Sequence, residues 1–502
     1  MPTLNASPEN IDETLRVLCR DIGNRLAASA AEREAAEYVA GRMRALGLSN
    51  VTIESFPFDL WGYEVARVEV PGPEPRVLPA IPVANSPATP EDGLEAEVVY
   101  VDHGTAADLA MHDVEEKLLL VWGPHGGDRG KLQALQDSGC VGVLWVDDRF
   151  PVDWPVSIGT PFDWRHTLRK PQLCIAYWDG LRLAQEPGQR VRMFSDAWSE
   201  PGESVNVFGD LPGAGEEFVH IGAHIDSVVV GVGAEDDGSG IAAMLEAARM
   251  LAELGTPERT IRFCGFGAEE QLSEGARRYV AMHPDEVAGT RVMLNLDSMA
   301  AITGRNQFMV AGPEELMEAV RALVQPHHQP PHEAREAIAG GPPRERGRSL
   351  TRGGDMQRPG EAGPGGPLHP EPGTGSTDRG SLAYGGDTHR PGEVGGPHAA
   401  RRPIISGEVM AEVTPFSDMF PFSIHGVPSV FFHRMNQAGT RYFHHSHLDD
   451  LQSISSRVIA MHANALAHLA HQAAFGDPPY ERAIPEAQMA QVRELAARYF
   501  GL

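Results

Sequence analysis

The sequence predicts an α/β fold, a mixed and mostly parallel sheet sandwiched by helices, with a β-rich domain inserted into it. Three observations predict this. From Val205 to Pro326, short apolar runs (FVHIGAH, TIRFCGFG, RVMLNLD) alternate with helical patterns such as GIAAMLEAARMLAELG, as in a sheet covered by helices. From Leu94 to Ser204 the texture changes to strand-like runs (EAEVVYV, KLLLVWG, CVGVLWVDD) with only a short helix, GKLQALQDSG, between them. After a long Gly/Pro/Arg tract, a core strand returns in PSVFFHRM.

In chain order, residues 1–93 form the N-terminal part of the main domain. Asn10 to Leu48 has helical periodicity, clearest in AAEREAAEYVAGRMRALGL, which stops at a glycine. VTIESFPFDL and YEVARVEV follow as β-rich runs. Residues 94–204 are the insert and 205–326 the α/β core, whose first helix has Asp237 or Ser239 placed to cap it. Residues 327–402 (GGPPRERGRSLTRGG, GEAGPGGPLHPEPGTGS) have few aliphatics and no period. Such a tract buries too little apolar area to offset its ordering entropy, so disorder is expected there. Residues 403–502 return to the main domain and close with two helices, SSRVIAMHANALAHLAHQAAF and EAQMAQVRELAARYF.

Composition narrows the partners. Of 502 residues, 42% are hydrophobic, ample for a large core, and the formal charge is 42 − 69 = −27. That balance argues against nucleic acid or an anionic membrane surface, which need basic patches. No apolar run approaches the ~20 residues of a membrane helix. The start, MPTLNASPENIDETL, lacks the features of a secretory signal. Cys19, Cys140, Cys174 and Cys264 lack CxxC spacing, which favours buried free thiols, Cys264 in the core among them, over a disulfide framework or thiolate metal site. A cytoplasmic protein is expected.

The acids and histidines fall in telling places. FVHIGA is followed by His224-Ile-Asp226, TIRFCGFG by Ala268 and the pair Glu269-Glu270, and RVMLNL by Asp297, while Asp236 and Asp237 precede a helix. Carboxyl ends of strands in an open α/β sheet form the crevice where ligands bind, so these groups converge by topology. The late cluster HHSHLDD, His444 to Asp450, can return to the same crevice. Several carboxylates and imidazoles in one cleft need cations. Oxygen and nitrogen donors without thiolate suit zinc, with manganese or cobalt as alternatives. A carboxylate bridging two metals ~3.5–4 Å apart is the arrangement of two-metal hydrolases. One glutamate of the pair can then bind metal while its neighbour handles protons.

These motifs, in this order, resemble the di-zinc exopeptidases that include bacterial leucyl and Streptomyces-type aminopeptidases and glutamate carboxypeptidase II. The resemblance rests on HxDS at His224–Ser227, DDGSG at Asp236–Gly240, the glutamate pair, NLDS at Asn295–Ser298, SDMFPF at Ser417–Phe422 and HSHLDD near the end. The opening IGNRLAASAAEREAAEYV shares it, and residues 94–204 resemble the protease-associated insert of many members. The resemblance implies two Zn²⁺ ions, His224 and Asp297 on one, Glu270 and His445 on the other, and Asp236 bridging. It implies that Asp226 fixes the tautomer of His224. It makes Glu269 the general base, taking a proton from the metal-bridging water and passing it to the leaving amine. It also implies a cis peptide at Asp236-Asp237. Many members have tyrosine before the last histidine ligand, to stabilise the oxyanion. Here that position is His444, with Tyr442 as the alternative source. His444 or His447 could also be the ligand; His445 is chosen because its distance to Asp449 matches the family's H-x-x-x-D ending.

Each assignment has a plainer competitor. GVGAEDDGSG is no dinucleotide loop, because two acids would repel a pyrophosphate. Asp418 reads equally as a loop acid or a pocket-lining group. His468 and His471 read as packing histidines, and His327, His328 and His332 as solvated ones. The favoured function is a zinc-dependent exopeptidase, an aminopeptidase acting on peptides. The alternatives are a single-zinc glutaminyl cyclase, or a carboxypeptidase or dipeptidase of the same superfamily. A non-catalytic receptor-like scaffold ranks last, because no ligand is missing.

Overall fold

The structure is a computed structural model that describes residues 4–124, 128–148, 151–326, 403–435, 443–478 and 480–502. Expectations for the tract 327–402, including His327, His328 and His332, and for Tyr442 fall outside these residues.

The strands in chain order are β1 (Ser49–Gly62), β2 (Ala66–Val70), β3 (Arg76–Pro82), β4 (Leu94–Tyr100), β5 (Leu118–Trp122), β6 (Gly142–Val146), β7 (Gln172–Ile175) and β8 (Arg190–Ser195). They continue as β9 (Trp198–Leu211), β10 (Phe218–His224), β11 (Thr260–Phe266), β12 (Thr290–Leu296), β13 (Arg305–Ala311), β14 (Val324–Pro326), β15 (Ile405–Met410) and β16 (Ser429–Met435). Among the described residues they form a nine-stranded mixed sheet, ordered β1-β9-β11-β10-β12-β16-β13-β15-β14, and a closed barrel, β2-β3-β7-β6-β5-β4-β8.

The centre of the large sheet, β11-β10-β12-β16, is parallel. Its strands are covered on both faces, so β10 is buried from Val219 to His224 and reads as a continuous apolar run with no polar alternation. The helix Ser239–Ala252 is buried around most of its circumference. It lies between β10 and the helices Pro8–Arg16 and Ser456–Ala474, which explains its alanine-rich sequence: small side chains let helices and sheet approach closely.

The barrel has two cores of its own. Leu118, Leu120, Leu144 and Val146 face inward, whereas Leu119, Val121, Val143 and Trp145 pack outside with Leu132 and Leu135 of the helix Arg129–Asp137. The period of two along β5 and β6 thus supplies both cores. Trp145 Nε1 donates to Gln172 Oε1 at 2.7 Å within the outer one. β2 and β3 precede Leu94, and β9 runs across Ser204 into the main sheet. The long antiparallel pair β1–β9, in register from Ser49↔Asp210 to Gly62↔Trp198 with one irregularity after Ser49, links barrel to sheet. No helix among the described residues is long and apolar enough to cross a membrane.

Candidate metal centre

Strand register assembles the site. His224 ends β10 opposite Phe266, the last residue of β11, and Gly222 pairs with Asn295 near the end of β12. His224, the turn holding Glu269 and Glu270, and Asp297 therefore emerge together at the carboxyl edge. Asp236 arrives from the loop before the helix Ser239–Ala252, and His444 and His445 from the turn after β16.

Two groups of side chains are close enough to hold a metal ion, His224/Asp236/Asp297 and Asp236/His444/His445. Asp236 is common to both. Its Oδ1 lies 3.1 Å from His224 Nε2, and its Oδ2 lies 2.8 Å from His444 Nδ1 and 3.5 Å from His445 Nε2. Glu270 joins the second group through Oε2, 3.0 Å from His445 Nε2, while its other oxygen is buried without a hydrogen-bond partner. The donors are carboxylate oxygens and imidazole nitrogens, with one carboxylate turned toward both groups; this set fits divalent cations such as zinc. Metal-binding groups of this kind appear, among the described residues, only here.

Asp226 organises the two glutamates. Its Oδ1 accepts the Glu269 N–H at 3.0 Å and its Oδ2 the Glu270 N–H at 3.3 Å, and Oδ1 also lies 3.3 Å from His224 Nδ1. Adjacent backbone N–H groups pinned to one carboxylate send the two side chains apart. Glu270 turns to His445, whereas Glu269 Oε1 accepts from Ser273 Oγ at 3.1 Å. Desolvation holds the pKa of both glutamates well above the usual carboxylate range, and the acids around them push in the same direction. Burial opposes charging of His224, but Asp226 and Asp236 outweigh it and hold its pKa up.

Asp237, next to Asp236 across a cis peptide, does a separate job. It accepts from the N–H groups of Gly240 at 2.8 Å, His224 at 3.2 Å and Ser298 at 3.3 Å, tying the helix start to the end of β10 and the turn after β12. Asp236 is thereby left to face the cleft. Asp449 accepts from the N–H groups of Glu235 and Asp236 at 2.7 and 3.1 Å, and so holds the same loop from the other side. Asn295 Nδ2 donates to Ser417 Oγ at 2.6 Å, which donates to Asp297 Oδ2 at 2.8 Å. Asp418 is buried with neither oxygen hydrogen-bonded, and burial raises its pKa strongly.

All seven residues singled out from the sequence, His224, Asp226, Asp236, Glu269, Glu270, Asp297 and His445, lie at this edge. His447 instead sets its ring edge-on to Trp154, 5.9 Å between centroids. His468 is buried and His471 partly exposed on the helix Ser456–Ala474. Sequence reasoning missed the loop-holding role of Asp449, although the H-x-x-x-D spacing marked the residue. It also missed the Asn295–Ser417 relay, for which the NLDS and SDMF motifs were the available signal.

A helix-covered mixed sheet with this donor set at its carboxyl edge outlines a class, α/β proteins with a metal-capable cleft. Comparison with known proteins narrows the class. Residues 206–339 match the model of peptidase family M28. Carboxypeptidase Q of Bos taurus is 27% identical over 341 residues, covering 62% of this chain and 70% of that one. An aminopeptidase of Pseudomonas aeruginosa is 27% identical over 311 residues, covering 56% and 54%. A zinc aminopeptidase from Bacillus subtilis shares the fold, with a TM-score of 0.64 at 20% identity over 96% of this chain and 98% of that one. Residues 206–339 are thus similar to peptidase family M28, and the likeness to solved structures extends the shared fold to nearly the whole chain.

Proposed function

We propose that the protein is a zinc-dependent exopeptidase, and specifically an aminopeptidase that removes N-terminal residues from peptides. The observation that carries this reading is the divergence of the glutamate pair: one member reaches a metal-capable group, and the other does not. His224 and Asp297 would hold one zinc, Glu270 and His445 the other, and Asp236 would bridge them. Manganese or cobalt would suit the same donors. Bound there, the ions would polarise the peptide carbonyl and make water a stronger acid.

The chain's own groups do the rest. Asp226 keeps a proton on Nδ1 of His224, leaving Nε2 free to face the metal. Glu269 takes the proton of the attacking water and delivers it to the leaving amine. Its raised pKa makes it a better base when charged and a competent acid once protonated. His444, with Nδ1 2.8 Å from Asp236 Oδ2, would serve either as a further group on the second ion or, in the role Tyr442 could also fill, as a donor to the developing oxyanion. The four buried free cysteines support a cytoplasmic location.

A carboxypeptidase or dipeptidase is the second reading, supported by relatives named carboxypeptidase. Digestion of matched peptides, one N-acetylated and one C-amidated, separates the two. An aminopeptidase cleaves only the amidated peptide; cleavage of only the acetylated peptide would establish a carboxypeptidase, and cleavage of neither, with an unblocked dipeptide split, a dipeptidase.

A further inference from the structure

One loop on the barrel side touches two of the candidate metal-holding residues, His445 and Glu270. Residues 155–161 lead into the 3₁₀ helix Phe162–Thr167, and the run from Val156 to Ile158 is buried. The Ser157 N–H donates to the His445 carbonyl at 2.8 Å, and His445 Nδ1 lies 3.2 Å from the Ser157 carbonyl. Two residues on, Gly159 packs so closely on the Glu270 carbonyl that a Cβ built there would stand 2.2 Å from the oxygen. The loop is held from both sides. The Ala84 N–H donates to the Ile158 carbonyl at 3.0 Å, and Phe162 stacks on Phe58 of β1 at 4.4 Å.

A backbone carbonyl can only accept, so the contact at Ser157 requires the proton of the His445 ring to sit on Nδ1. That leaves the lone pair on Nε2, the nitrogen facing Glu270 and Asp236. His445 also has φ of +56°, a left-handed conformation unfavourable for a residue with a Cβ. The bond from the Ser157 N–H holds that conformation from outside the main sheet.

We propose that the barrel loop 155–161 is a working part of the metal site, with the Ser157 backbone orienting His445 and the missing side chain of Gly159 letting the loop seat against Glu270. This inference rests on the reading that His445 and Glu270 hold a metal ion. The barrel then positions a ligand directly, beyond any role in covering the cleft. Outer groups that orient a ligating histidine typically change metal affinity 10- to 100-fold.

The test uses the full chain with Gly159→Ala and the bulkier Gly159→Val, checked for folding by circular dichroism. Competition with a chromophoric chelator should show one of two zinc ions held about 10- to 100-fold more weakly. The visible spectrum of the cobalt-loaded protein should shift as well. Affinity and spectrum identical to the wild type would overturn the proposal. His445→Ala separates this failure from the failure of the site itself. If that variant still binds two ions, the ligand assignment falls; if it loses one while both Gly159 variants bind normally, only the loop's role falls. Should the glycine variants not fold, hydrogen exchange on the wild type decides. Zinc added to the metal-free protein should slow amide exchange in 155–161 together with 443–449. Slowing confined to 443–449 would overturn the inference.

Discussion

Parallel strands lie side by side in both the main sheet and the barrel, yet their carboxyl edges differ in chemistry. In the main sheet β10, β11 and β12 end in His224, the glutamate pair and Asp297, and loops from elsewhere add Asp236 and His445. In the barrel, β4 to β7 are also parallel, but their buried residues serve two apolar cores. No metal-binding group gathers there among the described residues. The difference teaches that strand order alone makes a crevice, and that the titratable residues placed at its rim make a site. The barrel contributes through backbone, by a loop carried on a separately packed body.

If that division is right, damage to the two edges has different signatures. The larger effect is expected at the main sheet. Asp226→Ala removes the acceptor that orients His224 and both glutamates, so zinc affinity should drop about 10- to 100-fold, with a parallel loss of turnover. Metal analysis after dialysis against a weak chelator checks this, and full retention of both ions would break the comparison.

The next effect concerns pH. Glu269, Glu270, Asp237 and Asp418 all have pKa values raised well above the usual range, chiefly by burial. Such groups are protonated in both folded and unfolded states at low pH and cost nothing there. As pH climbs from the ordinary carboxylate range toward their raised folded-state values, the unfolded chain ionises first and stability is lost. His224 has the same sign, because its raised value stabilises the fold only while the ring is charged. The metal-free protein should therefore unfold at a lower temperature at about pH 7.5 than at about pH 5, and added zinc should restore the neutral-pH midpoint. Calorimetry of chelator-treated protein makes the measurement. A metal-free midpoint that rises between those pH values would contradict the electrostatic account.

The smallest effect belongs to the barrel. Trp145→Phe deletes the hydrogen bond to Gln172 in the outer core and should cost about 1–3 kcal/mol, seen as a lower denaturation midpoint. Metal content and kcat should not change. A loss of zinc in this variant would mean that the outer core, which also holds Val156 and Ile158, passes the lost bond on to the loop 155–161.

How much of this was legible beforehand follows from the same physics. Buried parallel strands must be apolar along their whole length, so a polar residue at the end of such a run stands out. That is why His224, Glu269, Glu270 and Asp297 could be read from FVHIGAH, TIRFCGFG and RVMLNL. The division of labour between Asp236 and Asp237 could be read only in part, since either carboxylate could cap the helix and only geometry shows Asp237 bonded to three N–H groups. Contacts made by backbone escaped entirely. The Ser157 carbonyl lies 288 positions from His445 in the chain, and a carbonyl carries no residue identity to read. The start of the barrel was equally silent, because β2 and β3 have the same texture as the end of β1.

The central claim is that the site divides metal holding from proton transfer, with Glu269 on the second task. It is tested most directly by Glu269→Gln, assayed for zinc content and for hydrolysis of an aminoacyl anilide on the same sample. The account predicts two ions per chain, as in the wild type, with kcat lower by about 10²–10⁴-fold. Undiminished turnover with both ions in place would contradict it.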